Sequence, residues 1–120
     1  MTASALRPVE WIGSARRDLR RFPEEVRRAF GQAIYEAQLG RKHPHAKPLR
    51  GFGGAQVLEI VERVDGESYR VVYTVKFTQA ICVLHAFQKK AKRAIATLMH
   101  ELNVIRERLR AAEQHYGQIR

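Results

Sequence analysis

Residues 48–93, PLRGFGGAQVLEIVERVDGESYRVVYTVKFTQAICVLHAFQKKAKR, decide the fold of this chain. From Val57 onward the apolar residues recur with a period of two, which predicts β-strands. Asp65-Gly66 is a strong signal for a two-residue hairpin turn, and Thr78-Gln79 is a weaker one. The stretch therefore predicts a meander of three antiparallel strands that ends in a basic cluster.

The two turns also predict how the strands pair. If each turn contains two residues, Glu59 faces Val72 and Val72 faces His85 across three strands. Residues that face each other directly lie on the same side of a sheet. The further predicted pairs are Val64–Glu67, Leu58–Tyr73, Ile60–Val71, Val61–Arg70, Tyr73–Leu84 and Arg70–Phe87.

This pairing gives the sheet two unlike faces. The apolar face, which we expect the helices to cover, carries Leu58, Ile60, Val71, Tyr73, Val75, Cys82 and Leu84. The polar face carries Glu59, Arg70, Thr74, His85 and Phe87. A carboxylate and an imidazole on either side of Val72 can perform acid-base chemistry. A slip of one residue in either turn would move these residues to the opposite face.

Basic residues surround the polar face. Lys89, Lys90, Lys92 and Arg93 follow the last strand, and Lys47 and Arg50 precede the first. Such cations can hold a phosphodiester and stabilise the charge that develops at phosphorus. Phe52 or Phe87 can stack an unpaired RNA base.

Each of these residues also has a simpler interpretation. His85 is then an ordinary half-buried strand histidine, and Glu59 pairs with Arg70 or Lys76. The basic run after the last strand is then the solvated start of a helix, although the helix dipole disfavours cations there. His43 and His45 suggest a metal, but no cysteine or carboxylate cluster completes a site, so we predict neither metal nor cofactor.

The rest of the chain supplies helices. An apolar stripe at Ile12, Ala15, Leu19 and Phe22 predicts a short helix, with Ser14 as its cap and a short strand before it over Arg7–Trp11. A second helix begins at Pro23 and ends at Gly40. The last helix, over residues 94–116, repeats apolar residues at alternating spacings of three and four. Its seam packs on its own domain, binds a partner or dimerises; the seam residues are Ile95, Leu98, Leu102, Ile105, Leu109, Ala112 and Tyr116.

Length and composition set the remaining expectations. The chain has 120 residues, and we expect one domain over residues 1–120. Lys plus Arg number 22 against 12 for Asp plus Glu, a net charge of +10, which attracts polyanions such as nucleic acid or the ribosome, or an acidic protein. Cys82 is the only cysteine, so an intrachain disulfide is excluded. Without an apolar run long enough to span a membrane, we expect a soluble, cytoplasmic protein.

The segments PLRG, LEI, SYRVVY and CVLHAFQKKAKR, in this order, resemble the RelE/ParE toxin superfamily, most closely its HigB-like, phage-derived branch. The resemblance covers Val9 to about Ile95. It implies an α+β fold in which a helical hairpin packs on an antiparallel sheet, followed by a C-terminal helix. It also implies the toxin of a type II toxin-antitoxin pair, which cleaves messenger RNA on the translating ribosome without a metal. The partner would be a separately encoded antitoxin, often with a helix-turn-helix.

The resemblance also implies roles for individual residues. Arg70, Lys89 and Lys90 would hold the phosphate, and His85 would act as general acid or base with help from Glu59. The RNA-binding set would be Lys47, Arg50, Phe52, Phe87, Lys92 and Arg93. The sequence is also compatible with two alternatives to the ribonuclease: a ParE-like toxin that inhibits gyrase, and a non-catalytic phage-derived protein that binds nucleic acid or a partner.

Overall fold

The computed structural model describes residues 6–54, 56–89 and 94–117, and it has the predicted α+β fold. The elements in chain order are β1 (Val9–Trp11), α1 (Ala15–Arg20), α2 (Glu24–Gln38), β2 (Lys47–Pro48), β3 (Val57–Val64), β4 (Glu67–Thr74), β5 (Ile81–Lys89) and α3 (Ala94–Tyr116). The five strands form one sheet in the order β1-β5-β4-β3-β2. None of the helices in the described part of the chain is long and apolar enough to cross a membrane.

The predicted pairing of β3 with β4 is confirmed. Val64 faces Glu67, Glu59 faces Val72, and the pairs between them follow in register. Asp65 and Gly66 both have positive φ, at 52° and 80°, which is the backbone of a two-residue hairpin turn with the twist that antiparallel strands favour.

The pairing of β4 with β5 is confirmed only in part. Val72 faces His85 as predicted, but Tyr73 faces Val83 and not Leu84, because a β-bulge shifts the register by one residue. The predicted core-face positions of Cys82 and Leu84 are therefore wrong. Both side chains lie in the apolar cluster on the opposite face of the sheet.

The edges of the sheet hold two short strands. The predicted N-terminal strand is present as β1, and it pairs with β5 in parallel, which makes the sheet mixed. At the other edge β2 pairs with β3 through Lys47–Glu59 and Pro48–Leu58. β2 was not predicted from the sequence, and Pro48 fits there because an edge strand tolerates a missing N–H donor.

The first face of the sheet packs against α1 and α2, as expected. Phe30 and Ile60 are fully buried at the centre of this cluster. Two details of the helix ends differ from the prediction. Pro23 precedes the first helical residue of α2, and the Ser14 hydroxyl does not cap α1 but donates to Asp18 Oδ2 at 2.7 Å.

The second face packs against α3, which runs over residues 94–116 as predicted. Its seam contributes Leu102, Ile105, Leu109, Ala112 and Tyr116 to a cluster with Val57, Val72, Cys82, Leu84 and Phe87. Packing of the seam on the chain's own sheet is therefore confirmed for these residues. Dimerisation through α3 stays a prediction, and it would have to use the exposed side of the helix, where Met99 is 53% exposed.

Candidate functional site

The predicted polar residues do share the second face of the sheet. Lys47, Glu59, Val72 and His85 form one row across four strands. Two residues further along β3, a second row consists of Val61, Arg70 and Phe87, and a third of Arg63, Ser68 and Lys89. The end of this face nearest the Asp65-Gly66 turn therefore combines three cations from three strands, and Arg63 is one that the sequence analysis missed.

Glu59 and Arg70 form an ion pair at this end. The Arg70 guanidinium donates to Glu59 Oε1 at 2.9 Å, and the two side chains are only 20% and 13% exposed for Arg70 and Glu59. Arg70 Nε is also buried and has no hydrogen-bond partner among the described residues. The pair thus holds a cation and a carboxylate together in a mostly buried position on this face of the sheet.

His85 lies on the same face but belongs to a different set of contacts. It is 6% exposed, and its Nε2 lies 2.7 Å from Glu101 Oε1 on α3. Its Nδ1 lies 3.1 Å from an Arg108 guanidinium nitrogen. A guanidinium can only donate, so Nδ1 carries no proton and Nε2–H donates to Glu101. Both ring nitrogens are therefore occupied by contacts to α3.

Arg108 connects three elements at this point. Besides His85 it donates to the Leu84 carbonyl and to Ser14 Oγ, each at 3.0 Å. The guanidinium lies directly beneath Gly13, where a Cβ atom would stand 2.7 Å from Arg108 Nε, and Gly13 has φ of 57°. Glycine at this position thus permits the close approach, and the network joins the start of α1, β5 and α3 through partly buried polar contacts.

The surroundings of His85 favour its neutral form. Burial lowers the pKa of His85 below the ordinary value, the hydrogen bond and charge of Glu101 oppose that shift, and the positive charge of Arg108 lowers the pKa further. A lowered pKa agrees with an imidazole that accepts a hydrogen bond from Arg108.

We expect the stability of the protein to fall with pH below about 6.5, the ordinary histidine pKa. The unfolded chain takes up a proton at His85 before the folded chain does, so stability is fully present above this pH and is lost as pH falls toward the folded pKa. Urea unfolding at pH 7.5 and at decreasing pH would measure the loss. His85→Gln should unfold with a shallower pH dependence, and equal slopes for both proteins would contradict the prediction.

The other predicted residues are placed as follows. Lys47 and Arg50 are exposed, and Lys89 is half-buried at the end of β5. Phe52 is half-buried, and the Arg106 guanidinium lies over its ring at 5.2 Å. Phe87 is 8% exposed and stacks on His85 with ring centroids 5.0 Å apart. Three further predicted residues, Lys90, Lys92 and Arg93, lie outside the described residues.

A groove of about 360 Å³ opens beside β5, between α1 and α3. It begins where β1 ends, because β1 pairs only with Ile81, Cys82 and Val83. Its lining combines rings with charged and amide groups; it consists of Asp18, Arg21, Phe22, Tyr69, His85, Ala86, Phe87, Gln88 and Glu101.

Metal ligands do not gather on this surface. Over residues 6–54, 56–89 and 94–117, no three side chains of His, Cys, Asp or Glu are grouped so that they could hold a metal ion. His43 and His45 lie near each other, with ring centroids 5.1 Å apart, and His45 approaches Glu62 at 3.8 Å.

The residues that surround His85 were not predicted from the sequence. Glu101 and Arg108 flank the seam of α3, and Asp18 and Ser14 come from the opposite end of the chain. The heptad pattern placed Glu101 next to Leu102 on the helix, so a charged residue bordering the buried stripe was the available signal. The contacts themselves span from 16 to 94 positions and leave no local pattern.

The sequence and the fold are similar to those of known proteins. The family model described as "Phage derived protein Gp49-like (DUF891)" matches residues 17–110. The match covers most of the chain, so the protein belongs to this phage-derived family, and the predicted relationship to RelE/HigB-like toxins is confirmed. No curated protein matches the sequence.

The chain is also similar to a solved structure, a chain in the crystal structure of the toxin-antitoxin complex RelBE2 from Mycobacterium tuberculosis. The two chains share 22% sequence identity, and the similarity covers 72% of this chain and 95% of that chain, with a TM-score of 0.43.

Proposed function

We propose that this toxin-family protein is an endoribonuclease that cleaves messenger RNA on the ribosome and is neutralised by a separately encoded antitoxin. The family membership supports the class of protein. The observation that carries the reaction is the Arg70–Glu59 ion pair, with 2.9 Å between the guanidinium and Oε1, on the same face of the sheet as Lys89 and Arg63. The Arg70 side chain is 20% exposed, and its guanidinium would donate to a phosphate oxygen there.

The position of Arg70 suits a phosphate site. Lys89 lies two residues from Phe87, the cross-strand partner of Arg70, and on the same face. Diagonal neighbours on adjacent strands stand about 7–8 Å apart, which long side chains bridge easily. Arg70 and Lys89 can therefore contact one phosphodiester together, and Arg63 adds a third cation from the same row as Lys89.

The proposed chemistry uses these cations and one carboxylate. The ribose 2′-oxygen loses its proton to Glu59 and attacks the adjacent phosphorus, and the bond from phosphorus to the 5′-oxygen breaks. Arg70 and Lys89 stabilise the negative charge that accumulates on the phosphoryl oxygens. The 5′-oxygen takes up a proton from a solvent-exposed donor, which leaves a cyclic phosphate on one fragment and a 5′-hydroxyl on the other.

His85 receives a different role in this proposal from the one that the sequence suggested. Its two ring nitrogens are engaged by Glu101 and Arg108. We therefore assign it to holding α3 against the sheet, and we assign proton transfer to Glu59. Lys47, which faces Glu59 across β2 and β3, would attract the RNA backbone from the other side.

Expression followed by mapping of RNA 5′-hydroxyl ends tests the function. The wild-type protein should arrest growth and leave 5′-hydroxyl ends inside translated coding regions. Lys89→Ala should reduce their number by roughly tenfold or more, because it removes a cation from the developing charge. Lys76→Ala, at the far end of the sheet and bonded to Glu113, is the matched control and should cleave like the wild type.

Other outcomes would refute the nuclease. Growth arrest with intact messenger RNA and DNA damage would indicate a gyrase inhibitor, and no growth effect would indicate a binding protein without catalysis. Equal cleavage by Lys89→Ala and the wild type would show that Lys89 does not contribute to phosphate binding.

A further inference from the structure

We propose that the groove beside β5 binds a guanine base of the RNA. The identity of the ligand rests on the proposed function, but the binding itself can be measured without any cleavage. The groove is distinct from the Arg70–Glu59 pair, and it adjoins that pair through Phe87, which lines the groove and faces Arg70 across the two strands.

The size and the ring-lined walls of the groove suit a nucleobase. Its volume of about 360 Å³ falls at the lower end of the range for small-molecule sites, about 300–1,000 Å³. Two ring pairs line it: Phe22 with Tyr69, at 4.9 Å between centroids, and His85 with Phe87, at 5.0 Å and 24°. Tyr69, His85 and Phe87 are less than 10% exposed and form the apolar wall of the groove, whereas Phe22 is half-buried and can contact a splayed base.

The hydrogen-bonding groups of the groove select among the bases. Glu101 is 15% exposed in its side chain, and its Oε1 accepts a hydrogen bond from His85 at 2.7 Å. An ionised carboxylate offers about four acceptor positions, so Glu101 can accept two more N–H groups. Guanine presents two neighbouring donors, N1–H and N2–H, on its Watson–Crick edge, whereas adenine presents one donor beside an acceptor.

Two further features fix the carboxylate and complete the match. His85 is 6% exposed and is itself held by Arg108, so it holds Glu101 in one orientation. Arg21 lines the same groove and is exposed at the end of α1, where its guanidinium can donate to guanine O6 and N7. The groove thus offers acceptors and donors in the arrangement that guanine requires.

Titration of isotope-labelled protein with GMP and with AMP, followed by NMR, tests the inference. The wild-type protein should bind GMP about tenfold more tightly than AMP, since a bidentate base contact discriminates by roughly this factor or more. Glu101→Gln should lose the preference for GMP. The amide oxygen of the glutamine would still accept the hydrogen bond from His85, so its NH₂ group would face the N–H donors of guanine. Glu107→Gln, an exposed carboxylate on the same helix, is the control and should keep the preference.

A second variant guards against a folding defect in Glu101→Gln. Arg21→Ala removes an exposed side chain and should weaken GMP binding more than AMP binding. Equal affinities in the wild type, or an unchanged preference in both variants, would overturn the inference. Lys89→Ala should keep the GMP preference. A preference for GMP without any RNA cleavage would refute the nuclease and support the guanine site. RNA cleavage without a preference for GMP would refute the guanine site alone.

Discussion

Arg70→Lys should lower RNA cleavage by roughly 100-fold while the protein remains folded. Lysine keeps a positive charge next to Glu59, so the carboxylate does not become an unpaired buried charge. Lysine cannot reproduce the planar guanidinium, which binds a carboxylate and a phosphate at the same time through separate N–H groups. The loss of one transition-state donor of this kind costs about 10²–10³ in rate. Counting 5′-hydroxyl ends after a fixed induction time would measure the effect.

Arg28→Lys is the matched control for this substitution. Arg28 also pairs with a glutamate, Glu24, at 2.7 Å, but on the exposed side of α2, away from the second face of the sheet. It should cleave like the wild type. A similar loss of cleavage in both variants would mean that the effect does not depend on the position of Arg70, because each substitution keeps the positive charge.

Arg108→Ala should lower the free energy of unfolding by about 2–4 kcal/mol. We expect this loss to be the largest that the removal of any one polar side chain of α3 causes. The substitution removes the donor to the Leu84 carbonyl, to Ser14 Oγ and to His85 Nδ1. The Leu84 carbonyl and the imidazole lie in surroundings where an unpaired polar group is costly. Urea unfolding at neutral pH would measure the change.

Arg110→Ala provides the comparison, because Arg110 is an exposed arginine on the same helix. Its removal should change the free energy of unfolding by less than about 0.5 kcal/mol. If the two variants were equally stable, the contacts of Arg108 would contribute nothing to holding α3 on the sheet.

The sequence predicted the β3–β4 register because the Asp65-Gly66 turn fixes it. The second turn was predicted less well, since β4 ends at Thr74 and β5 begins at Ile81. The connection shifts the pairing by one residue, so that Thr74 faces Cys82, and the bulge at Leu84 restores the predicted register from His85 onward. The predicted row of Glu59, Val72 and His85 was therefore correct, although the predicted pairing next to the second turn was wrong.

The same bulge explains why the packing of α3 on the second face was not predicted. The predicted pairing placed Cys82 and Leu84 on the first face, so the second face was expected to be polar. In the structure both lie on the second face beside Val57 and Val72, and this apolar surface is what α3 packs on. Two-residue β2 escaped prediction for a simpler reason: so short a strand has no periodicity.

The parallel pairing of β1 with β5 has a consequence for the synthesis of the protein. β1 is synthesised before the other strands, but its only neighbour in the sheet is β5, from which five other elements separate it. At about 5–20 residues per second, the nascent N-terminal strand waits several seconds for its partner. Lys89 and all of α3 emerge later still. The residues of the proposed phosphate site and of its neighbouring groove therefore come together only after β5 and α3 have been synthesised.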